Sequence, residues 1–170
     1  SVIEVGQPTV VDGEQGSITL DGGGTSQILS VATNASLSAR NLRFINGRAP
    51  DSTDADGIGG AIAGQWRSQV EVRNCIFEDN TAGRGGGAVS VWTGSSLTIV
   101  GSQFFRNRSF YGGAVYSLLS GLSIVNSEFL DNATLTESDM REGGAIGTDG
   151  ASESPDDDVG GTVETCGTRI

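Results

Sequence analysis

A repeated two-part motif constrains the fold of this chain more than any other feature of its sequence. The first part alternates apolar and polar residues up to a phenylalanine, and its four copies read LSARNLRF (37–44), VEVRNCIF (70–77), LTIVGSQF (97–104) and LSIVNSEF (122–129). The second part reads GGA followed by isoleucine or valine, and its copies begin at residues 59, 86, 112 and 143, which are 27, 26 and 31 residues apart. Self-similarity at such a period is typical of repeat architectures.

The fold follows from the periodicity inside each copy. Apolar residues recur every second position, as at Leu97 and Ile99, and no segment keeps a 3.6-residue period. Short strands turned by glycine, asparagine and serine, repeated about every 25 residues, predict stacked coils of a parallel β-solenoid. We therefore predict an all-β, right-handed parallel β-helix of about six coils, forming one domain over residues 1–170.

Polar and glycine positions also recur, which predicts columns of identical side chains along the stack. The third residue after the phenylalanine is asparagine in three copies, at Asn80, Asn107 and Asn132, and we expect these amides to hydrogen-bond to one another. The second glycine of each GGA motif is expected at a coil corner, where a side chain would collide with the next coil or require a positive φ. These glycines are Gly60, Gly87, Gly113 and Gly144.

A chemical interpretation of the glycines competes with this one. Gly83, Gly85 and Ala88 fit the dinucleotide pattern G-x-G-x-x-G/A. That pattern needs a following helix and an acidic residue about 20 positions on. Here the strand-like AVSVW (88–92) follows, and no acidic residue occurs before Glu128. The architectural interpretation is favoured.

The tandem GGA[IV] and F-x-x-N motifs resemble the repeats of chlamydial polymorphic outer membrane proteins and of the wider pectin-lyase-like right-handed β-helix group. The segment ITLDGGG (18–24) is similar to an early coil of that group. The resemblance covers about residues 17–170 and implies the fold. It leaves the activity open, because the fold carries enzymes, adhesins and stalks. We expect the chain to be part of a longer solenoid, or to have ends covered by other subunits.

Composition excludes several classes of function. The chain contains no lysine and no histidine, so Schiff-base lysines and imidazole bases are excluded. Its net charge of −11 argues against a nucleic-acid partner. No apolar run is long enough to span a membrane. The two cysteines, Cys75 and Cys166, are predicted not to bond to each other, being either reduced core thiols or paired outside this segment.

Aromatic residues near the GGA motifs are the best candidates for a binding surface. Together with arginines of the same coils they suit an anionic sugar or a protein partner. The alternative is that the aromatic rings pack beneath a loop. The candidate residues are Trp66, Trp92, Tyr116, Arg67, Arg84, Arg106 and Arg108.

Catalytic and metal sites have weaker support in the sequence. The resemblance raises polysaccharide cleavage, which needs clustered acids, and a pair would have to combine Glu71, Glu78 or Asp79 with Glu128 or Asp131. We predict no enzyme activity and no cofactor. Calcium is an open alternative at two acidic insertions of the repeat. The carboxylates in question are Asp51, Asp54, Asp56, Asp156, Asp157 and Asp158.

These observations favour a non-enzymatic structural or adhesive module of a secreted or cell-surface protein. Its lateral face is expected to bind a carbohydrate or a protein. A carbohydrate-active enzyme and a scaffold subunit docked in a larger complex remain the alternatives.

Overall fold

The computed structural model describes residues 1–14, 18–52, 54, 56–135, 144–150 and 163–170. These residues form strands and turns, with no helix among them, so none of them belongs to a helix that could cross a membrane. The strands are β1 (Ile3–Val5), β2 (Thr9–Asp12), β3 (Ile18–Asp21), β4 (Leu29–Val31), β5 (Ser36–Arg40), β6 (Leu42–Ile45), β7 (Ile62–Gly64), β8 (Gln69–Arg73), β9 (Ile76–Glu78), β10 (Val89–Val91), β11 (Ser96–Val100), β12 (Gln103–Phe105), β13 (Arg108–Ser109), β14 (Val115–Leu118), β15 (Gly121–Val125), β16 (Glu128–Leu130), β17 (Ala133–Thr134), β18 (Ile146–Asp149) and β19 (Val163–Cys166).

The strands form three long parallel sheets, as a solenoid requires, and β13 and β17 form a fourth, two-stranded parallel sheet. Sheet A contains β1, β4, β7, β10, β14 and β18, sheet B contains β2, β5, β8, β11, β15 and β19, and sheet C contains β3, β6, β9, β12 and β16. Each turn of the chain adds one strand to sheets A, B and C in that order. The predicted all-β parallel β-solenoid is confirmed, with five complete turns and two strands of a sixth.

The interior is built from the alternating apolar residues of the repeat. In β11 Leu97 and Ile99 are buried, and their neighbours in β15, Leu122 and Ile124, are buried beside them. The repeated phenylalanines stack in sheet C with nearly parallel rings, since successive centroids from Phe44 to Phe129 lie 4.9, 4.8 and 4.5 Å apart. These distances match the spacing of hydrogen-bonded strands, so one aromatic ring per coil continues the stack.

The repeated asparagines form a hydrogen-bonded column in the turn after sheet C. The Asn80 amide Nδ2 donates to Asn107 Oδ1 at 2.9 Å, and Asn107 Nδ2 donates to Asn132 Oδ1 at 2.9 Å. Each amide also donates to the carbonyl oxygen of a phenylalanine in the coil below, for example Asn107 Nδ2 to Phe77 at 3.0 Å. Asn80 and Asn107 are fully buried. The column therefore satisfies buried polar groups that the turn would otherwise leave without partners.

The two glycines of the first three GGA motifs meet two separate requirements. The first has a positive φ, 60° at Gly59 and Gly86 and 52° at Gly112. The second lies against the next coil, and a Cβ atom on Gly87 would come within 2.4 Å of the Gly113 carbonyl oxygen. Gly60 and Gly113 are equally confined, with backbone atoms at 2.4 and 2.6 Å from such a Cβ atom. Gly144 of the fourth motif differs, because no atom of the described residues lies within 4 Å of that position.

The two cysteines are both free, which confirms that they do not bond to each other. Cys75 is buried, and burial raises the pKa of its thiol. Cys166 is exposed, so the prediction of a core thiol is wrong for this residue. Cys166 lies in strand β19 of sheet B and pairs with Val125 of β15. Cys75 lies in the turn between β8 and β9, where its backbone N–H donates to Ser102 Oγ. The two cysteines thus occupy different positions of the repeat, and only the Cys75 position points inward.

Candidate functional site

Three of the predicted binding residues, Trp66, Arg84 and Trp92, come together beyond the carboxyl ends of strands β7 and β10 of sheet A. The rings of Trp66 and Trp92 have centroids 6.0 Å apart and are tilted by 48°. The Arg84 guanidinium carbon lies 4.9 Å from the centroid of the Trp92 ring, within the range of a cation–π interaction. Trp66 is 49% exposed and Trp92 is half-buried. We call Trp66, Arg67, Arg84 and Trp92 the Trp66 face.

The parallel register explains why these residues meet. Val91 of β10 pairs with Gly64 of β7, and the Trp92 N–H donates to the Gly64 carbonyl oxygen at 3.0 Å. Trp92 therefore leaves sheet A immediately beside Gln65 and Trp66 of the coil below. Arg84 belongs to the connection from sheet C to sheet A, where its N–H donates to the Gly57 carbonyl oxygen at 2.7 Å.

Arg67 follows Trp66 directly and is exposed. Its N–H donates to the Thr93 carbonyl oxygen at 3.1 Å, which holds the turn between sheets A and B in line with the coil above. Its guanidinium makes no ion pair or hydrogen bond within the part of the chain that the structure describes. An exposed arginine without a carboxylate partner among the described residues thus directly follows the exposed Trp66 in the sequence.

The structure separates the other predicted binding residues from this face. Tyr116 is 2% exposed and its ring stacks on Tyr111 with centroids 5.5 Å apart, so its predicted place on a binding surface is wrong. Gly85 packs against this ring, since a Cβ atom there would lie 2.5 Å from a Tyr116 ring carbon. Arg106 pairs with Glu78 and Asp79.

Arg108 is exposed in β13, in register with Ala133 and, across an isolated bridge, with Thr81. Its side chain makes no ion pair among the described residues. Arg108 lies in the connection that follows strand β12 of sheet C, and it is not part of the Trp66 face.

Two aromatic residues that were not predicted flank Arg84 on its other side. Gly83, Arg84, Phe110 and Tyr111 line a depression of about 280 Å³, in which the rings of Phe110 and Tyr111 meet edge to face at 4.6 Å. The FY pair directly before the third GGA motif was the available sequence signal. It could not be interpreted without knowing that this connection passes beside Arg84.

Gln65, which directly precedes Trp66 in the sequence, lines a groove of about 450 Å³. The neutral polar residues of this Gln65 groove are Thr25, Ser26, Gln27, Ser30 and Gln65. Its charged residues are Glu4, Arg48 and Asp56, and Val2, Ala49 and Pro50 add apolar surface. The groove therefore offers hydroxyl and amide groups within a mixed wall.

The carboxylates considered for catalysis are mostly engaged by arginines. Glu71 accepts from Arg73 at 2.7 Å and from Ser38 at 2.8 Å. Glu78 pairs with Arg43 and Arg106, and these hydrogen bonds hold its pKa below the usual range for a glutamate. The hydrogen bond from Arg73 lowers the pKa of Glu71 in the same way. A general acid needs a raised pKa, so neither carboxylate is suited to that role.

The lowered pKa of Glu78 predicts a loss of stability in acid. The unfolded chain binds a proton on this residue below about pH 4.3, while the folded chain does so only at lower pH. The stabilisation is thus present above that value and lost as pH falls through the folded pKa. We expect Glu78→Gln to lower the melting temperature at pH 7 and to match the parent protein near pH 3, as measured by circular dichroism. A deficit of the same size at both pH values would contradict this role, and Glu4→Gln, on the N-terminal coil, is the control.

No cluster of three or more Cys, Asp or Glu side chains suited to a metal ion occurs among the described residues. Asp51 pairs with Arg48 at 2.7 Å, and the Asp54 N–H bonds to Ser52 Oγ. Asp56 lines the Gln65 groove. The other calcium candidates, Asp156, Asp157 and Asp158, lie outside the described residues.

The solenoid of repeated coils defines the class of the protein, a parallel β-helix repeat protein. Residues 74–91 match the Chlamydia polymorphic membrane protein repeat. The matched segment contains β9, Asn80, the second GGA motif and β10. This match to one repeat, over 18 of the 170 residues, is consistent with a structural module of a surface protein. No curated protein and no solved structure matches the chain.

Proposed function

We propose that this chain is a stiff structural and adhesive module of a secreted or cell-surface protein, and that its Trp66 face binds a carbohydrate. The observation that carries the proposal is the half-exposed Trp66 ring beside Trp92, with the Arg84 guanidinium over the second ring. Exposing the apolar surface of an indole ring to water is unfavourable in free energy, so a ligand that covers the ring gains that free energy on binding.

The chemistry around Trp66 favours a sugar over an extended apolar partner. A pyranose ring presents C–H groups that pack on an indole, while its hydroxyls need neutral donors and acceptors. The Gln65 groove contains such groups, among them the Ser30 hydroxyl and the Gln65 amide. A protein partner remains an outcome of the test, since tryptophan and arginine are also frequent hot spots in protein interfaces.

The terminal strands support a second part of the proposal, that further strands cover the ends of the stack. Val10 of β2 is 65% exposed, Ile18 of β3 is 50% exposed, and every residue of β19 is exposed. A parallel sheet with an open edge offers unpaired N–H and C=O groups to another strand. Further repeats or another subunit would satisfy them, and the second of these is the scaffold alternative.

Replacing Trp66 with alanine tests the proposed function. We expect Trp66→Ala to weaken binding to the recognised glycan about tenfold or more, because stacking on an exposed indole is lost. The melting temperature should change little, since half of this ring is already in solvent. Binding is measured on a glycan array and then by calorimetry.

Tyr116→Phe is the control, because it alters a buried ring that lies outside the Trp66 face. Unchanged glycan binding by Trp66→Ala would overturn the Trp66 face as the site. Binding to a protein instead of any glycan would identify the other partner class, and release of sugar fragments would overturn the non-enzymatic role.

A further inference from the structure

The turn between sheets A and B contains a column of residues with left-handed backbone conformation. Its members in successive coils are Asn34 (φ 62°), Arg67 (φ 57°), Gly94 (φ 74°) and Leu119 (φ 47°). Their N–H groups donate to carbonyl oxygens of the next coil, from Asn34 to Trp66, from Arg67 to Thr93 and from Gly94 to Leu119. Glycine and asparagine adopt this conformation readily, whereas arginine does so at a cost.

Arg106 shows what compensates an arginine in this conformation. Its φ is 54°, and its guanidinium bonds to both carboxylate oxygens of Asp79 at 2.9 and 3.0 Å and also pairs with Glu78. These charge-assisted contacts join successive coils, so the strained residue contributes to the stack. Removing the Arg106 side chain would break this network.

Arg67 has the same backbone conformation without such compensation. No carboxylate pairs with it in the described part of the chain, and its column neighbours Asn34, Gly94 and Leu119 carry no charge. Arg67 is exposed and directly follows the half-exposed Trp66 in the sequence, and its Cγ atom would lie 3.2 Å from a Cβ atom on Gly94 of the next coil. A strained backbone conformation that no contact within the folded chain compensates is a reason to look for a functional role of Arg67.

We propose that Arg67 is the specificity-determining residue of the Trp66 face and that it recognises a carboxylate or sulfate group on the bound glycan. This inference rests on the proposed function, because Trp66 supplies the platform for the sugar ring. The planar guanidinium forms two parallel hydrogen bonds with either anionic group. In a chain of net charge −11, an arginine with uncharged neighbours provides a local site for an anion.

The test compares Arg67→Asn and Arg67→Gly with the parent protein. Both substitutions suit the left-handed conformation, since Asn34 and Gly94 occupy the same column. The probes are a sulfated heparin oligosaccharide, a carboxylated hyaluronan oligosaccharide and an uncharged chito-oligosaccharide. We expect both variants to bind the preferred anionic probe about tenfold more weakly, and to bind the uncharged probe within about twofold of the parent.

Thermal stability provides a second and independent measurement. We expect Arg67→Gly to raise the melting temperature by about 2–4 °C, because strain is relieved and no ion pair is lost. Arg106→Gly is the matched control and should not raise it. Arg67→Lys should retain part of the anion binding, since the charge remains and the paired hydrogen bonds do not.

The outcomes separate this inference from the proposed function. If Trp66→Ala abolishes binding while Arg67→Asn binds the anionic probe like the parent, the inference is overturned and the proposed function stands. If the parent binds glycans on the array but neither anionic probe, only the inference is overturned, whereas a parent that binds no glycan on the array overturns both. A preference of the parent for the uncharged probe also overturns the inference.

Discussion

Gly87→Val is expected to lower the free energy of unfolding by about 3 kcal/mol, one of the two largest effects that we predict for a single substitution. A Cβ atom at this position would lie 2.4 Å from the Gly113 carbonyl oxygen and 2.5 Å from the Arg108 nitrogen. Both are backbone atoms of the next coil, so relief requires the coils to separate. Urea denaturation followed by circular dichroism measures the change.

Gly144→Val is the matched control for this prediction. Gly144 holds the same position in the last GGA motif, but no atom of residues 1–14, 18–52, 54, 56–135, 144–150 or 163–170 lies within 4 Å of its hypothetical Cβ atom. We expect a change within about 0.5 kcal/mol. Equal losses at the two positions would show that the motif's sequence, and not the contact with the next coil, determines the cost.

Asn107→Ala is expected to destabilise the fold by about 3–4 kcal/mol. The Asn107 Oδ1 atom accepts from the backbone N–H of Asn80 at 3.1 Å and from its Nδ2 at 2.9 Å, and both groups are buried. Without that oxygen they lose their partner, and each unsatisfied buried donor costs about 1–3 kcal/mol. The Phe77 carbonyl oxygen loses a donor as well. Urea denaturation also measures this change.

Asn74→Gly serves as the control for the asparagine column. Asn74 is exposed, has a φ of 51°, and bonds to Asn41 Oδ1 at 3.5 Å. Glycine tolerates this backbone conformation, so we expect a change within about 0.5 kcal/mol. A small effect of Asn107→Ala would mean that water replaces the amide in the column, and our explanation of the repeated asparagine would be wrong.

The asparagine column shows how much of the fold could be predicted from the sequence. A parallel solenoid places residues one repeat apart next to each other, so repetition at Asn80 and Asn107 was sufficient to predict their contact. Sequence spacing translates directly into spatial contact in such a fold. The wrong prediction of a core thiol at Cys166 has a related cause. The insertion before Cys166 changes the repeat length, so the sequence spacing did not reveal that Cys166 pairs with Val125.

The binding surface was predictable only in part. Trp66 and Trp92 were chosen for their residue type and their place after the GGA motif, and they are adjacent. Tyr116 was chosen in the same way and is buried, because it alternates onto a part of sheet A that Gly85 and Tyr111 cover. Whether an aromatic side chain after a GGA motif is exposed depends on which connection covers that part of the sheet. The connections vary in length between coils, so the sequence alone does not reveal this.

The sequence by itself determined the class of fold, the stacking of the phenylalanines and asparagines, and the positions where only glycine fits. Each of these follows from a repeated residue, because every coil lies on the next in the same register. The tertiary structure decided what is individual: which aromatic rings reach solvent, which arginines are neutralised by acids, and that Arg67 has a left-handed backbone. Those properties depend on contacts between unrepeated segments, whose distances no period in the sequence encodes.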